Sequence, residues 1–218
     1  MINKSKSPLH GNHKIVLIGD KHIKGYANLL KHTLNSDYDL YCVVKPGSGT
    51  SELMKTASEA IKNLSHNDIV VVYSGTNDYD SNNFYSTFRN IKNYINNNIH
   101  TNILLMKIPS RYDLHNSLSI NKNIAGLNRK LMKLVKAFPY ASFLETIDDR
   151  MLFTKHYSHR NNLGKKLVNL QLAQNILTIF SQKLASPIMV DWPKKCVDRN
   201  LLKTTDLETI FSRKTTYY

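Results

Sequence analysis

The sequence has little of what would tie it to an oxidising compartment or a membrane. It holds two cysteines in 218 residues, Cys42 and Cys196, and their separation matches no metal-ligand or disulfide-framework spacing. A reduced, intracellular setting, cytoplasmic or nuclear, is the expectation. No apolar run approaches the roughly 18–20 residues that cross a bilayer. Residues 1–13 are polar and basic with no apolar h-region, so no secretory signal is expected. Acidic residues are scarce too: 16 Asp and Glu face 30 Lys and Arg, a formal net charge of +14. Such a balance draws a protein towards nucleic acid, acidic lipid or acidic partners. Lysine, however, outnumbers arginine about three to one and is scattered, without a dense run or interleaved aromatics. Asn, Ile and Tyr are also plentiful, as an AT-rich coding sequence produces. Weak, non-specific attraction to nucleic acid at low salt is the expectation. There is no internal repeat and no low-complexity linker. The nine histidines show no ligand spacing, so no resident metal or cofactor is expected.

What is present is an alternation of short apolar runs with helix-period segments. Residues 15–18, 40–44, 69–73, 103–106 and, more weakly, 141–144 are apolar on consecutive positions, the signature of parallel strands covered on both faces. Between them, Phe84, Phe88, Ile91, Ile95 and Ile99 recur at steps of three and four. So do Ile120, Ile124, Leu127, Leu131, Leu134 and Phe138, and again Leu163, Leu167, Leu170, Leu177, Phe180 and Leu184. Each set predicts one apolar stripe on a helix. Further helices are expected near 22–35 and 51–64, the latter capped by Thr50 or Ser51. The order predicts a three-layer α/β/α, doubly wound sheet of about five parallel strands, flavodoxin-like in type, with its site at the carboxyl ends of the strands. Residues 13–184 make this domain. Residues 1–12 are expected to be flexible, and residues 185–218, with Pro187, Pro193 and mixed charge, to form a loosely packed basic tail.

Four blocks in order carry a family resemblance. Gly19, Asp20, Lys21 and His22, then Lys24 and Gly25, follow the first strand. Gly47, Ser48 and Gly49 follow the second. Gly75, Thr76, Asn77 and Asp78 follow the third. His156, His159, Asn161, Gly164 and Lys165 precede the last helix. Together they resemble the GDSL/SGNH-hydrolase superfamily, over roughly residues 13–184. The stretches Ile108–Asp113 and Asn128–Leu131 resemble a eukaryotic subgroup that sometimes accompanies retroelement-like reading frames.

The resemblance implies a serine nucleophile after Gly-Asp, a histidine base oriented by an acid three residues earlier, and an oxyanion hole of backbone N–H groups and an Asn amide. By position, Gly47 corresponds to the glycine donor, Asn77 to the amide donor and His159 to the base. Two positions depart. Lys21 stands where the nucleophilic serine belongs, and His156 stands where the acid belongs. An ordinary lysine, with a pKa of about 10.4, is protonated at neutral pH and accepts acyl groups poorly. Ser48 and Ser74, in neighbouring loops, are the candidates for a relocated nucleophile. Simpler roles compete: Asp20 as a helix cap, Gly47 as a turn residue, Asn77 as a brace between loops, and His159 as a cap ahead of the last helix. His156, His159 and His22 form a conceivable cation site that the charge of Lys21 opposes. Arg160 replaces a usually apolar residue, and with Lys21 and His156 it makes the rim basic, suited to an anion.

Three functions follow. The first is a hydrolase-like domain without catalysis, leaning away from enzyme activity and binding a small anionic or acyl ligand. The second is an esterase or acyl-hydrolase with an atypical nucleophile. The third is a nucleic-acid-associated accessory domain of a mobile element. The sequence leaves the oligomeric state open.

Overall fold

The computed structural model describes residues 13–34, 36–78, 83–113, 117–156 and 159–183. Among these residues five strands, β1 (His13–Gly19), β2 (Tyr38–Val44), β3 (Ile69–Tyr73), β4 (Asn102–Met106) and β5 (Ala141–Leu144), alternate with five helices. These are α1 (Tyr26–Thr33), α2 (Thr50–Ala60), α3 (Phe84–Asn97), α4 (Ser117–Val135) and α5 (Asn162–Lys183). Short 3₁₀ turns cover Lys21–Ile23 and Arg150–Leu152. The strands form one sheet in the order β2-β1-β3-β4-β5, and every pairing is parallel. Parallel strands need crossovers, and the helices supply them.

The period-two geometry of the strands divides the core into two layers. Ile15, Leu17, Ile69, Val71 and Leu104 pack with α1 and α5, through Tyr26, Leu30, Leu172 and Ile176. Val16, Ile18, Val70, Val72 and Leu105 face the other way, onto α2, α3 and α4, through Leu53, Ala57, Ile95, Leu127 and Leu131. This is the doubly wound architecture the alternation predicts. The expectations for residues 1–12 and 185–218 fall outside the described residues. No helix among the described residues is long and apolar enough to cross a membrane.

Three details differ from the sequence reading. The strand over Tyr38–Val44 is at the sheet edge, and Tyr41 and Cys42 are exposed on it, so its apolar run does not mean coverage on both faces. The cap of α2 is neither Thr50 nor Ser51. Thr50 is the first helical residue, and the Asp78 carboxylate accepts its N–H at 3.1 Å. The largest difference is the buried face of α5. The predicted stripe ran through Leu163, Leu170 and Leu177, which are exposed, and Phe180, which is buried as expected, while Val168, Leu172, Ala173 and Ile176, outside that stripe, are buried. The helix carries two apolar stripes, and Gly164 decides between them. It begins a row at steps of four through Val168, Leu172, Ile176 and Phe180, and its missing Cβ admits the carbonyl of Leu152 to close approach. Leu184, the last of the predicted stripe, lies outside the described residues.

This gives a prediction whose sign separates packing from propensity. In a helix, Gly→Ala ordinarily gains up to about 1 kcal/mol. At Gly164 the new methyl would overlap Leu152 O and crowd Leu152 Cβ at 3.0 Å. Gly164→Ala is expected to destabilise by about 1–3 kcal/mol, read as a lower midpoint in thermal and urea unfolding. A raised midpoint would show that α5 is not seated this way.

Candidate functional site

In a sheet of order 2-1-3-4-5 the chain leaves β1 to one side for β2 and then crosses to the other side for β3, so a crevice opens between the carboxyl ends of β1 and β3. The segments leaving those ends are Asp20–Lys21–His22 and Ser74–Gly75–Thr76–Asn77. They are joined by one carboxylate. Asp20 Oδ1 accepts the N–H of His22 at 2.8 Å, capping the 3₁₀ turn rather than α1. Asp20 Oδ2 accepts the Thr76 hydroxyl and, at 3.0 Å, the Asn77 amide. Asp20 is 1% exposed. Burial raises its pKa to about 6, against the lowering pull of the His22 N–H, the Lys21 charge and the Asn77 amide.

Asn77 completes the brace. Its Nδ2 also donates to Ser48 O at 2.9 Å, so both amide hydrogens are taken within the protein. Gly47 lies beside this contact at the exposed corner after β2, with φ 75°, a conformation that suits glycine. A second brace was not legible in the sequence. The Asp78 carboxylate holds both the N–H and the hydroxyl of Thr50, and Ser74 Oγ donates to Thr50 Oγ1 at 2.9 Å. Ser74 is thereby buried in the loop network. Among the described residues neither Ser48 nor Ser74 contacts an imidazole.

The histidine block is held by a short antiparallel bridge between Phe153 and Arg160. Asn161, not His159, caps α5, accepting the N–H of Gly164 at 2.9 Å. His159 turns instead towards the Lys21 corner. Its Nδ1 lies 3.2 Å from Nδ1 of His22, and the ring centroids are 4.4 Å apart. Burial, then the charges of His159, Lys21 and Arg111, lower the His22 pKa to about 3. Burial and the charges of Lys21 and Lys165 lower that of His159. Two neutral imidazoles can share this contact, one donating and the other accepting. The acid that acts on both rings is Asp113, which opposes these shifts. It is clamped by Arg111 through two bonds of 2.8 and 2.9 Å. His156 is exposed in the preceding turn and has no hydrogen bond or ring contact among the described residues. The three-histidine grouping therefore does not assemble. Among the described residues no set of three or more His, Cys, Asp or Glu is placed to hold a metal.

A cleft of about 500 Å³ opens beside this corner. Lys21, Lys24, Arg160 and Lys165 give it four cationic side chains, and Tyr26 and Tyr73 line it further. Burial raises the Tyr26 hydroxyl to about 12 and pushes Tyr73 further up, so both remain protonated. Arg160 is 6% exposed. Its guanidinium lies 5.0 Å from the Phe153 ring centroid, and Nη2 donates to Thr146 Oγ1 at 3.2 Å. Its Nε and Nη1 are buried with no hydrogen-bond acceptor among the described residues.

Of the residues the sequence singled out, the structure brings Asp20, Lys21, Asn77, His159 and Arg160 to the carboxyl end of the sheet around β1 and β3, with Gly47 on the adjoining loop. It leaves His156 apart from the imidazole pair. The sequence missed Thr76, Asp78 and Asp113 as working parts of this corner.

No protein-family model and no curated protein matches the chain. Solved structures do match it in fold. A GDSL-like lipase from Bacteroides thetaiotaomicron is 18% identical, with a TM-score of 0.61 over 76% of this chain and 88% of that one. A lipase/acylhydrolase from Enterococcus faecalis is 17% identical, with a TM-score of 0.63 over 75% and 95%. A member of the lipolytic G-D-S-L family from Veillonella parvula is 12% identical, with a TM-score of 0.63 over 76% and 98%. At such identities the likeness is one of fold, and the chain has the fold of the GDSL/SGNH hydrolases.

Proposed function

We propose that this chain is a divergent relative of the GDSL/SGNH hydrolases that has given up ester hydrolysis and works as a binding or accessory module. The observation that carries this reading is the corner after β1, where the exposed residue is Lys21 in place of a serine. Two further features support it. The Asn77 amide spends both hydrogens on Asp20 and Ser48, leaving none for a developing oxyanion. The candidate base His159 faces another imidazole, not a carboxylate. An orienting acid and free oxyanion donors are what acyl transfer needs. An intracellular location, cytoplasmic or nuclear, goes with this reading, since Cys42 is an exposed thiol with no disulfide partner among the described residues, which reducing compartments tolerate.

The test is hydrolysis of a short-chain nitrophenyl ester by the full chain and by His159→Ala. The expected result is no turnover above buffer in either protein. Turnover that disappears with His159→Ala would replace this reading with that of an esterase using an atypical nucleophile.

A further inference from the structure

The cleft beside the Lys21 corner has an electrostatic imbalance that none of the described residues corrects. An arginine is charged at every relevant pH, and burying a charge without a partner is costly. Arg160 is nevertheless more than nine-tenths buried, and its guanidinium meets only neutral hydroxyls, those of Thr146 and Tyr73. Its Nε and Nη1 lack an acceptor among the described residues. Among the described residues no carboxylate pairs with it. Among the described residues no Asp or Glu lines the cleft it borders, and Lys21, Lys24 and Lys165 add three more positive charges at the mouth. Asp20, the nearest acid along the chain, is folded inward onto His22, Thr76 and Asn77.

Helix geometry adds to the same field. The 22-residue α5 begins at Asn162, and Asn161, Asn162 and Lys165 of its first turns line the cleft. The amino end of a helix carries partial positive charge and attracts anions. Here it stands beside a buried, unmatched guanidinium, which in a low-dielectric wall projects its charge further than it would in water. The two observations are independent, and both ask for negative charge at one place.

The geometry points to this cleft as a binding site for an organic phosphate monoester, its dianion set between Arg160, the lysines at the mouth and the amino end of α5. A phosphate dianion answers several fixed positive charges at once, and arginine and lysine are its usual protein partners. A volume of about 500 Å³ falls within the range of about 300–1,000 Å³ typical of small-molecule sites. It leaves room for the organic part beside the phosphate. This inference rests on the non-catalytic reading, because it gives Lys21 a ligand to hold rather than an acyl group to accept.

The test uses the full chain with three probes at matched ionic strength and pH: phenyl phosphate, inorganic phosphate and benzoate, against chloride alone. Calorimetry and thermal unfolding are the readouts. Phenyl phosphate is expected to bind and raise the unfolding midpoint most, inorganic phosphate less, and benzoate least. Arg160→Met removes the charge while keeping most of the volume. It is expected to unfold at the same or a higher midpoint without ligand, since an unmatched buried charge is gone, and to weaken phenyl phosphate binding on the order of tenfold to a hundredfold. Lys165→Ala, at an accessible position, provides a second variant should Arg160→Met fold poorly, and it too is expected to weaken binding. No midpoint shift with either phosphate, or a shift that both variants retain, overturns the site. The ester assay on the same preparations separates the two levels. Silent phosphates with no hydrolysis remove this inference and leave the non-catalytic reading in place, whereas His159-dependent hydrolysis removes that reading itself.

Discussion

Restoring the two family residues, Lys21→Ser with His156→Asp, is expected to leave ester hydrolysis at background, and adding His22→Ala to the pair is expected to raise it by about 10²–10⁴-fold. The first half follows from where the imidazoles are. A serine base needs one ring nitrogen for the hydroxyl and the other for its acid. In this protein Nδ1 of His159 meets Nδ1 of His22 at 3.2 Å, so a carboxylate introduced at position 156 would compete with a contact already made. Removing His22 frees that nitrogen, and a positioned general base contributes about 10²–10⁴-fold. The ceiling stays low, because the Asn77 amide remains bonded to Asp20 and Ser48 and the oxyanion hole lacks that donor. Initial rates on a nitrophenyl ester for wild type, double and triple variants decide the matter. A double variant as active as the triple would show that His22 does not hold the base away.

The layers of the fold were legible because parallel strands announce themselves as runs that are apolar on both faces. Val70 to Val72 lie at the centre of the sheet and read unambiguously. Residues 40–44 read the same way yet their strand lies at an edge, since an apolar run records residue type and not the number of neighbouring strands. The helix after Asn161 misled for a different reason. With leucines on both sides, periodicity offers two stripes, and the choice rests on a close approach of Gly164 to Leu152 that no local pattern encodes. At the site, Asp20, Lys21, Asn77 and His159 from the motif blocks lie at the expected end of the sheet, whereas His156 stands apart. Their bonds were not readable. Asn77 looks like an amide donor in the sequence, and only its distances to Asp20 and Ser48 reveal a brace. Asp113 and Thr76 act through partners 91 and 56 residues away, and one sequence carries no sign of such pairings.

Acid is expected to expose two opposed linkages at the same corner. His22 has a folded-state pKa lowered to about 3 from 6.5. Below pH 6.5 the unfolded chain therefore binds a proton that the folded protein refuses, and stability falls as the pH falls from about 6.5 towards 3. From pH 7 to pH 4 this removes about 3 kcal/mol, and His159, lowered as well, adds to it. Asp20 runs the other way. Its folded pKa is raised to about 6 from 3.8, so the folded protein takes up a proton first, and stability rises as the pH falls from about 6 to 4. That contribution is about 2 kcal/mol. In the wild type the two largely offset each other, and the variants separate them. Relative to wild type, His22→Gln is expected to gain about 3 kcal/mol on going from pH 7 to pH 4. Asp20→Asn is expected to lose about 2 kcal/mol over the same interval, on top of a cost common to both pH values from its altered bonds to Thr76 and Asn77. Urea unfolding of the three proteins at pH 4, 5.5 and 7 measures this, and the remaining carboxylates cancel in the differences. Equal slopes for all three proteins would mean that neither group titrates differently in the folded chain, and the buried Asp20–His22–His159 corner would then have to be solvated and open.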